Sequence, residues 1–142
     1  MDVFQFRERG EACADEQTEE LARSVIGAAI EVHRVLGPGL PETIYRRALS
    51  HELDLRGVPH LCEAPVPVVY KNQLLGEGRM DILVGGKVIV ELKCVEALSD
   101  VHRAQAIAYL SATGLELALI INFNVVLLKD GIRRVILTRN KQ

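Results

Sequence analysis

Three charged side chains interrupt the apolar segment RMDILVGGKVIVELK: Asp81, Glu91 and Lys93. Glu91 and Lys93 are two positions apart, so on a β-strand their side chains project from the same face. Two carboxylates and a neighbouring main-chain carbonyl oxygen could bind a hard divalent ion such as Mg²⁺ or Mn²⁺. A lysine beside that ion could orient a water molecule and offset negative charge on a phosphoryl group. These residue types therefore point to hydrolysis of a phosphodiester.

Whether Asp81 shares that face depends on the turn between its strand and the next one. A two-residue loop at Gly85-Gly86 would place Asp81 opposite Val90, on the wrong face. A three-residue loop or a bulge would place it opposite Glu91. We predict the second register, which brings both carboxylates to one face of the sheet.

The spacing Asp-x₉-Glu-x-Lys also has an ordinary explanation. Glu91 and Lys93 could form an exposed ion pair that contributes roughly 0 to 1 kcal/mol. Short patterns of this kind often match by chance, so further residues must decide between the two interpretations.

The rest of the sequence predicts an α/β fold for residues 18–142, after a flexible lead-in over residues 1–17. We expect a central mixed sheet flanked by helices, in which an antiparallel meander is joined to a right-handed βαβ crossover. Helices are predicted over residues 18–36, 41–56 and 100–113, and strands over 61–70, 74–84, 87–93 and 115–122. Residues 125–138 predict a final hairpin that turns at Lys129-Asp130-Gly131.

Composition excludes several classes of protein. The 142 residues include 49% hydrophobic and 25% charged side chains, typical of a globular domain. No apolar run approaches the roughly 20 residues that span a bilayer, so we expect no membrane contact and a cytoplasmic location. The three cysteines, widely spaced, favour neither a disulfide framework nor a zinc site.

A net charge of −2 predicts no general electrostatic affinity for nucleic acid. Contacts with phosphate must therefore be local. The candidate basic residues are Arg46, Arg47, Lys71, Arg79, His102, Arg103, Arg133 and Arg134.

Four motifs in order resemble the PD-(D/E)XK nuclease superfamily, and within it a small family named for a GxxExxY signature. The signature is found as Gly39-Leu-Pro-Glu42-Thr-Ile-Tyr45. The segments VPVVYKNQLLGEGRMDILV and VIVELK, together with INFN and LKDGIRRVIL, extend the resemblance over residues 21–137. A QxxxY motif, Gln105 to Tyr109, resembles that of RecB-like nucleases.

The resemblance implies a restriction-endonuclease-like core and a role for each matching residue. Asp81 and Glu91 would ligate Mg²⁺ or Mn²⁺ with the Leu92 carbonyl, and Glu42 would complete the site directly or through water. Lys93 would be the catalytic lysine. Gln105 and Tyr109, one helical turn apart with His102 near the same face, would orient Lys93 or a phosphate.

Three hypotheses remain open at this level. The leading one is a Mg²⁺- or Mn²⁺-dependent nuclease that acts on nucleic acid, with DNA the expected substrate. The second is a non-catalytic module that retains the fold and binds nucleic acid or a protein, and the third is the same chemistry acting on RNA or a nucleotide. With 4% aromatic residues and no tryptophan, DNA binding could require a homodimer or a protein partner.

Overall fold

A six-stranded mixed sheet forms the centre of the molecule, with strand order β1-β6-β5-β4-β3-β2. The structure, a computed structural model, describes the backbone of residues 2–8 and 14–141 and the side chains of residues 14–138. The helices are α1 (Glu16–Leu36), α2 (Glu42–Leu55) and α3 (Asp100–Thr113), with a short 3₁₀ turn over Leu128–Gly131. The strands are β1 (Asp2–Glu8), β2 (His60–Tyr70), β3 (Gln73–Val84), β4 (Val88–Lys93), β5 (Leu117–Asn122) and β6 (Ile132–Lys141).

The sheet has the predicted α/β arrangement. Strands β2, β3 and β4 form an antiparallel meander, and α3 connects β4 to the parallel strand β5. Parallel neighbours require such a crossover because a tight turn can join only antiparallel strands. Pro65 and Pro67 lie on β2, which is the edge strand, where a missing N–H is tolerated.

Both faces of the sheet are covered, which explains why its central strands are apolar without alternation. Val90 and Leu92 belong to the core under α1 and α2, whereas Ile89 belongs to the core under α3. Every residue of β5 is buried. Burial of apolar area on both faces supplies most of the stability, at roughly 25 cal/mol for each Å² removed from water.

Helix α3 has the predicted bounds, whereas α1 begins two residues earlier than predicted and α2 is one residue shorter at each end. Asp15 caps α1 by accepting a hydrogen bond from the Thr18 N–H, and Ser99 caps α3. Gly114 ends α3 in the left-handed conformation, with φ of 78°, which a glycine adopts without steric cost.

The turn between β3 and β4 sets the predicted register. Ile82 lies opposite Val90 and Val84 opposite Val88, so the loop comprises Gly85, Gly86 and Lys87. Continuing this register by one residue places Asp81 opposite Glu91. The prediction of a three-residue loop is confirmed, and it decides which face of the sheet receives the Asp81 carboxylate.

Two local predictions were wrong. Residues 2–8, expected to belong to a flexible lead-in, form β1 and pair antiparallel with β6. The hairpin predicted within residues 125–138 does not form, because β6 pairs with the buried strand β5 instead. The apolar residues at 125–128 pack as a loop and a 3₁₀ turn, and the Val125 carbonyl accepts a hydrogen bond from His33 Nε2.

None of the helices in the described parts of the chain is long and apolar enough to cross a membrane. Within the same parts, Cys62 and Cys94 have free thiols, while Cys13 lies outside the described residues.

Candidate active site

Asp81 and Glu91 lie side by side where β3 and β4 separate. Main-chain pairing between the two strands ends at Ile82 and Val90. Beyond that pair, the Asp81 side chain hydrogen-bonds β4 in place of the main chain of β3. Its Oδ2 accepts a hydrogen bond of 2.7 Å from the Leu92 N–H. The Lys93 carbonyl accepts from Phe123 on the β5 side, so by strand alternation the Leu92 carbonyl points to the β3 side, as its N–H does.

Glu91 is a buried acid with an unsatisfied oxygen. Its relative exposure is 4%, and Oε1 has no hydrogen-bond partner among the described residues. Burial, and then the negative charge and hydrogen bond of Asp81, raises the pKa of Glu91 to about 8. A buried acceptor without a donor is unfavourable in the protein alone, so this oxygen is a ready ligand for a cation.

A residue on α3, the helix that follows β4, holds the Lys93 side chain in place. The Lys93 Nζ donates a hydrogen bond of 3.2 Å to Oε1 of Gln105 on α3. The Lys93 charge also lowers the pKa of Glu91 and of Glu42, because the ammonium stabilises the ionised form of both acids. The predicted grouping of Lys93 with Glu91 and Gln105 is therefore present.

Glu42 approaches the same site from the first turn of α2. Burial raises the pKa of Glu42, and the charge of Asp81 raises it further. Glu42 is thus electrostatically coupled to Asp81 and Lys93, although it lies on a different element. Its position at a helix N-terminus partly offsets the repulsion between the two acids.

Tyr45 fixes the loop that presents Glu42. Its hydroxyl donates to the Gly37 carbonyl at 2.5 Å and accepts from the Leu40 N–H at 3.1 Å. The fully buried ring stacks on Phe123 with a centroid separation of 4.5 Å. Gly39 has a φ of 103°, which favours glycine. Gly39 and Tyr45 of the GxxExxY motif thus fix the loop, whereas Glu42 of the same motif interacts electrostatically with Asp81 and Lys93.

Tyr109 and His102 have different positions from those expected for residues that contact Lys93. The Tyr109 hydroxyl accepts a hydrogen bond of 3.3 Å from the Arg79 N–H, and its ring lies against Gly78. A Cβ at Gly78 would come within 2.8 Å of this ring, so the glycine permits the contact. His102 Nδ1 accepts from the Ser99 N–H and completes the cap of α3.

Comparison with known proteins identifies the family. A family model described as the PD-(D/E)XK nuclease superfamily matches residues 19–135. The chain belongs to the PD-(D/E)XK nuclease superfamily. Searches of curated proteins and of solved structures found no match.

Membership of the PD-(D/E)XK superfamily accounts for the fold and indicates the type of chemistry. The mixed sheet with helices on both faces is the restriction-endonuclease-like core that the resemblance implied. Members of this superfamily are usually nucleases and generally use divalent metal ions. A metal-dependent nuclease is therefore the activity that the family indicates for this chain.

Three oxygen-bearing groups at this site could act as ligands of a divalent ion. Nowhere in residues 14–138 do three or more His, Cys, Asp or Glu side chains gather closely enough to hold a metal ion by themselves. The candidate ligands are Asp81, the unsatisfied oxygen of Glu91 and the Leu92 carbonyl. Two carboxylates plus main-chain oxygen and water form the ligand set that Mg²⁺ favours.

Two residues near the site were missed in the sequence. Asn122, beside Lys93 across the β4–β5 pair, hydrogen-bonds both the N–H and the carbonyl of Val95, and so fixes the segment that follows β4. A buried polar residue at the end of an apolar strand was the available signal. Glu63, on β2, pairs with two arginines, and its sequence context gave no indication of this.

Proposed function

We propose that this protein is a divalent-metal-dependent nuclease that hydrolyses phosphodiester bonds in DNA. One observation carries the proposal: the buried, unsatisfied Glu91 oxygen lies beside Asp81, on the strand that also presents Lys93. A buried carboxylate oxygen without a hydrogen-bond donor destabilises the fold, so a bound cation best explains its presence. The GxxExxY family within the superfamily is the assignment we propose from the loop that carries Glu42.

In this proposal Asp81, Glu91 and the Leu92 carbonyl hold Mg²⁺ or Mn²⁺, with Glu42 acting through a water molecule. The ion, when bound, polarises the phosphoryl oxygen and lowers the pKa of water. Glu42 is assigned to the outer position because its side chain does not join a compact three-acid cluster within residues 14–138.

Lys93 would orient the attacking water and offset the negative charge that develops on the phosphoryl group. Gln105 holds the Lys93 ammonium, because its side-chain oxygen accepts from Nζ. We assign Tyr109 to positioning: its hydroxyl holds β3 at Arg79, two residues before Asp81. It would thus act on the carboxylate through the strand and not by contact with Lys93.

Nicking of supercoiled plasmid DNA in the presence of Mg²⁺ tests this function. We expect the wild-type protein to nick the plasmid and Lys93→Ala to be slower by about 10²-fold or more, as for removal of a group that stabilises transition-state charge. Lys87→Ala is the matched control, because Lys87 lies in the β3–β4 turn and its amine is 3.9 Å from Asp15, away from the acids. Equal rates for wild type and Lys93→Ala would dismiss the mechanism.

Thermal melting separates the nuclease from a non-catalytic module with the same fold. A working metal site should raise the melting temperature when Mn²⁺ is added, since ligands that bind only the native state stabilise it. Asp81→Asn should abolish this shift, and Asp130→Asn, in the 3₁₀ turn, should retain it. A module without a site would show no shift in any of the three proteins.

A further inference from the structure

A second charged group lies next to the acids, at the edge of the sheet. The Oε1 atom of Glu63 is 3.3 Å from Nη1 of Arg79 and 3.7 Å from Nη1 of Arg46. One carboxylate therefore neutralises two guanidinium groups only in part. The Arg46–Glu63–Arg79 group, as we call it, has a net charge of +1.

This group adjoins the candidate active site through both arginines. Arg46 lies one helical turn after Glu42, and its charge lowers the pKa of that acid. Arg79 is two residues before Asp81 on β3, and its guanidinium contacts Glu63. A polymer whose backbone passes over the acids would therefore meet Arg46 and Arg79.

Glu63 has an unusual backbone conformation for its residue type. Its φ is 55°, in the left-handed region that disfavours side chains with a Cβ. It interrupts the β2–β3 pairing between Cys62 opposite Ile82 and Ala64 opposite Met80, directly across from Asp81. Strained positions of this kind concentrate at functional sites.

We propose that Arg46 and Arg79 bind a non-scissile phosphate of DNA and that Glu63 occupies this phosphate site in the free protein. The inference rests on the proposed nuclease function. Guanidinium groups bind phosphate oxygens in the same geometry as they bind carboxylates, so a phosphate can replace Glu63 between them. Glu63 also keeps the arginines from pairing with the acids that the metal needs.

The proposal predicts opposite changes in DNA affinity when Glu63 is replaced and when either arginine is replaced. Glu63→Gln retains side-chain volume and removes the competing charge, so it should tighten DNA binding by about threefold to tenfold, typical of an interface charge. Arg46→Ala and Arg79→Ala should each weaken binding. Each should also reduce the slope of log affinity against log salt by about 1.

Fluorescence anisotropy measures these effects with a fluorescein-labelled DNA duplex of about 20 base pairs, long enough to cover the site. All variants are made in the Lys93→Ala background with Mg²⁺ present, so that the probe stays intact during titration. Glu63→Gly is a second charge-removing variant that also relieves the backbone strain, and it should tighten binding as Glu63→Gln does. The matched controls are Glu52→Gln and Arg56→Ala, whose side chains form a 2.7 Å ion pair near the other end of α2.

Control variants should leave affinity and salt slope unchanged, since Glu52 is about 15 Å along the helix axis from Glu42. The proposal is overturned if the Glu63 variants bind like Glu52→Gln, or if no variant binds the duplex. Cleavage by otherwise wild-type protein is scored separately. If cleavage depends on Lys93 but the Glu63 variants do not change DNA affinity, the nuclease function stands and the phosphate site is rejected. If the Glu63 variants change DNA affinity but no protein cleaves DNA, the phosphate site stands and the nuclease function is rejected.

Discussion

Replacing Glu91 with glutamine should stabilise the metal-free protein at neutral pH. The pKa of Glu91 is about 8 in the folded state, against an ordinary value of 4.5. Between these values the folded protein binds a proton that the unfolded chain releases, so the free energy of unfolding falls as pH rises. The favourable contribution is complete below pH 4.5 and is lost as pH rises through 8. In Glu91→Gln the side-chain amide has no proton to lose, and it can donate to the Asp81 carboxylate.

The size of the effect follows from the two pKa values. Each pKa unit corresponds to about 1.4 kcal/mol, so the full difference across the window is of the order of 5 kcal/mol. Between pH 5 and pH 7, the advantage of Glu91→Gln over wild type should grow by roughly 2 to 3 kcal/mol. Low exposure of Glu91 keeps solvent from screening this effect.

Urea denaturation at pH 5, 6 and 7 with EDTA present measures the difference in unfolding free energy. Glu31→Gln is the control: Glu31 is paired with Arg34 on α1, its pKa is lowered, and it should therefore show no trend in this range. Added Mn²⁺ should stabilise wild type and leave Glu91→Gln unaffected. If the stability difference between wild type and Glu91→Gln varies by less than about 0.5 kcal/mol from pH 5 to pH 7, Glu91 is ionised throughout and the reasoning fails.

Three further predictions concern metal binding and packing. Mn²⁺ affinity, measured by isothermal titration calorimetry, should rise up to about tenfold per pH unit from pH 6 to 8, because Glu91 must lose its proton; a flat profile would contradict this. Asn122→Leu should lower the unfolding free energy by about 2 kcal/mol or more in urea, since Val95 loses two hydrogen bonds; a loss under about 0.5 kcal/mol would refute that role. Gly131→Ala should cost about 2 kcal/mol or more, because its Cβ would clash with the Asn122 carbonyl oxygen. In Gly76→Ala the added Cβ would meet no atom of the described residues within 4 Å, so the unfolding free energy in urea should be nearly unchanged. Equal losses of unfolding free energy in the two alanine variants would argue against the clash.

The sequence was sufficient for the central part of the fold because its local signals agree with the tertiary contacts. Gly37, Gly57 and Gly114 follow the helices, and all three have positive φ. The register of β3 against β4 was also predictable, since only one register brings the charged residues to a common face. The structure of such a segment can be predicted because its turn residues and its side-chain pattern indicate the same register.

Pairing between distant segments was harder to predict. The apolar run at 125–128 looks like a strand, but β6 pairs with β5, and Val125 is held by a histidine from α1. Strand β1 was missed because its partner, β6, lies at the opposite end of the sequence. Neither partner carries a local signal for the other, so tertiary packing overrides the local preference.

At the site, the residue types were predictable and some of their contacts were not. Helical spacing put Gln105 and Tyr109 on one face, and only Gln105 reaches Lys93, because Tyr109 lies farther along the helix, over β3. The positive φ of Glu63 could not be foreseen, since glutamate rarely adopts it. Which side chains make contact and where the backbone is strained depend on the folded molecule, and not on the local sequence.

The parallel pairing of β4 with β5 has a consequence for biosynthesis. A nascent chain that has emerged as far as Gln105 already contains every proposed catalytic side chain except Tyr109. Strand β4 then lacks its parallel partner β5, which pairs with it from Leu117 to Asn122 and is joined to it through α3. Until β5 has been synthesised, β4 therefore has a neighbour only on its β3 side, and the residues of the proposed site stand on an open sheet edge.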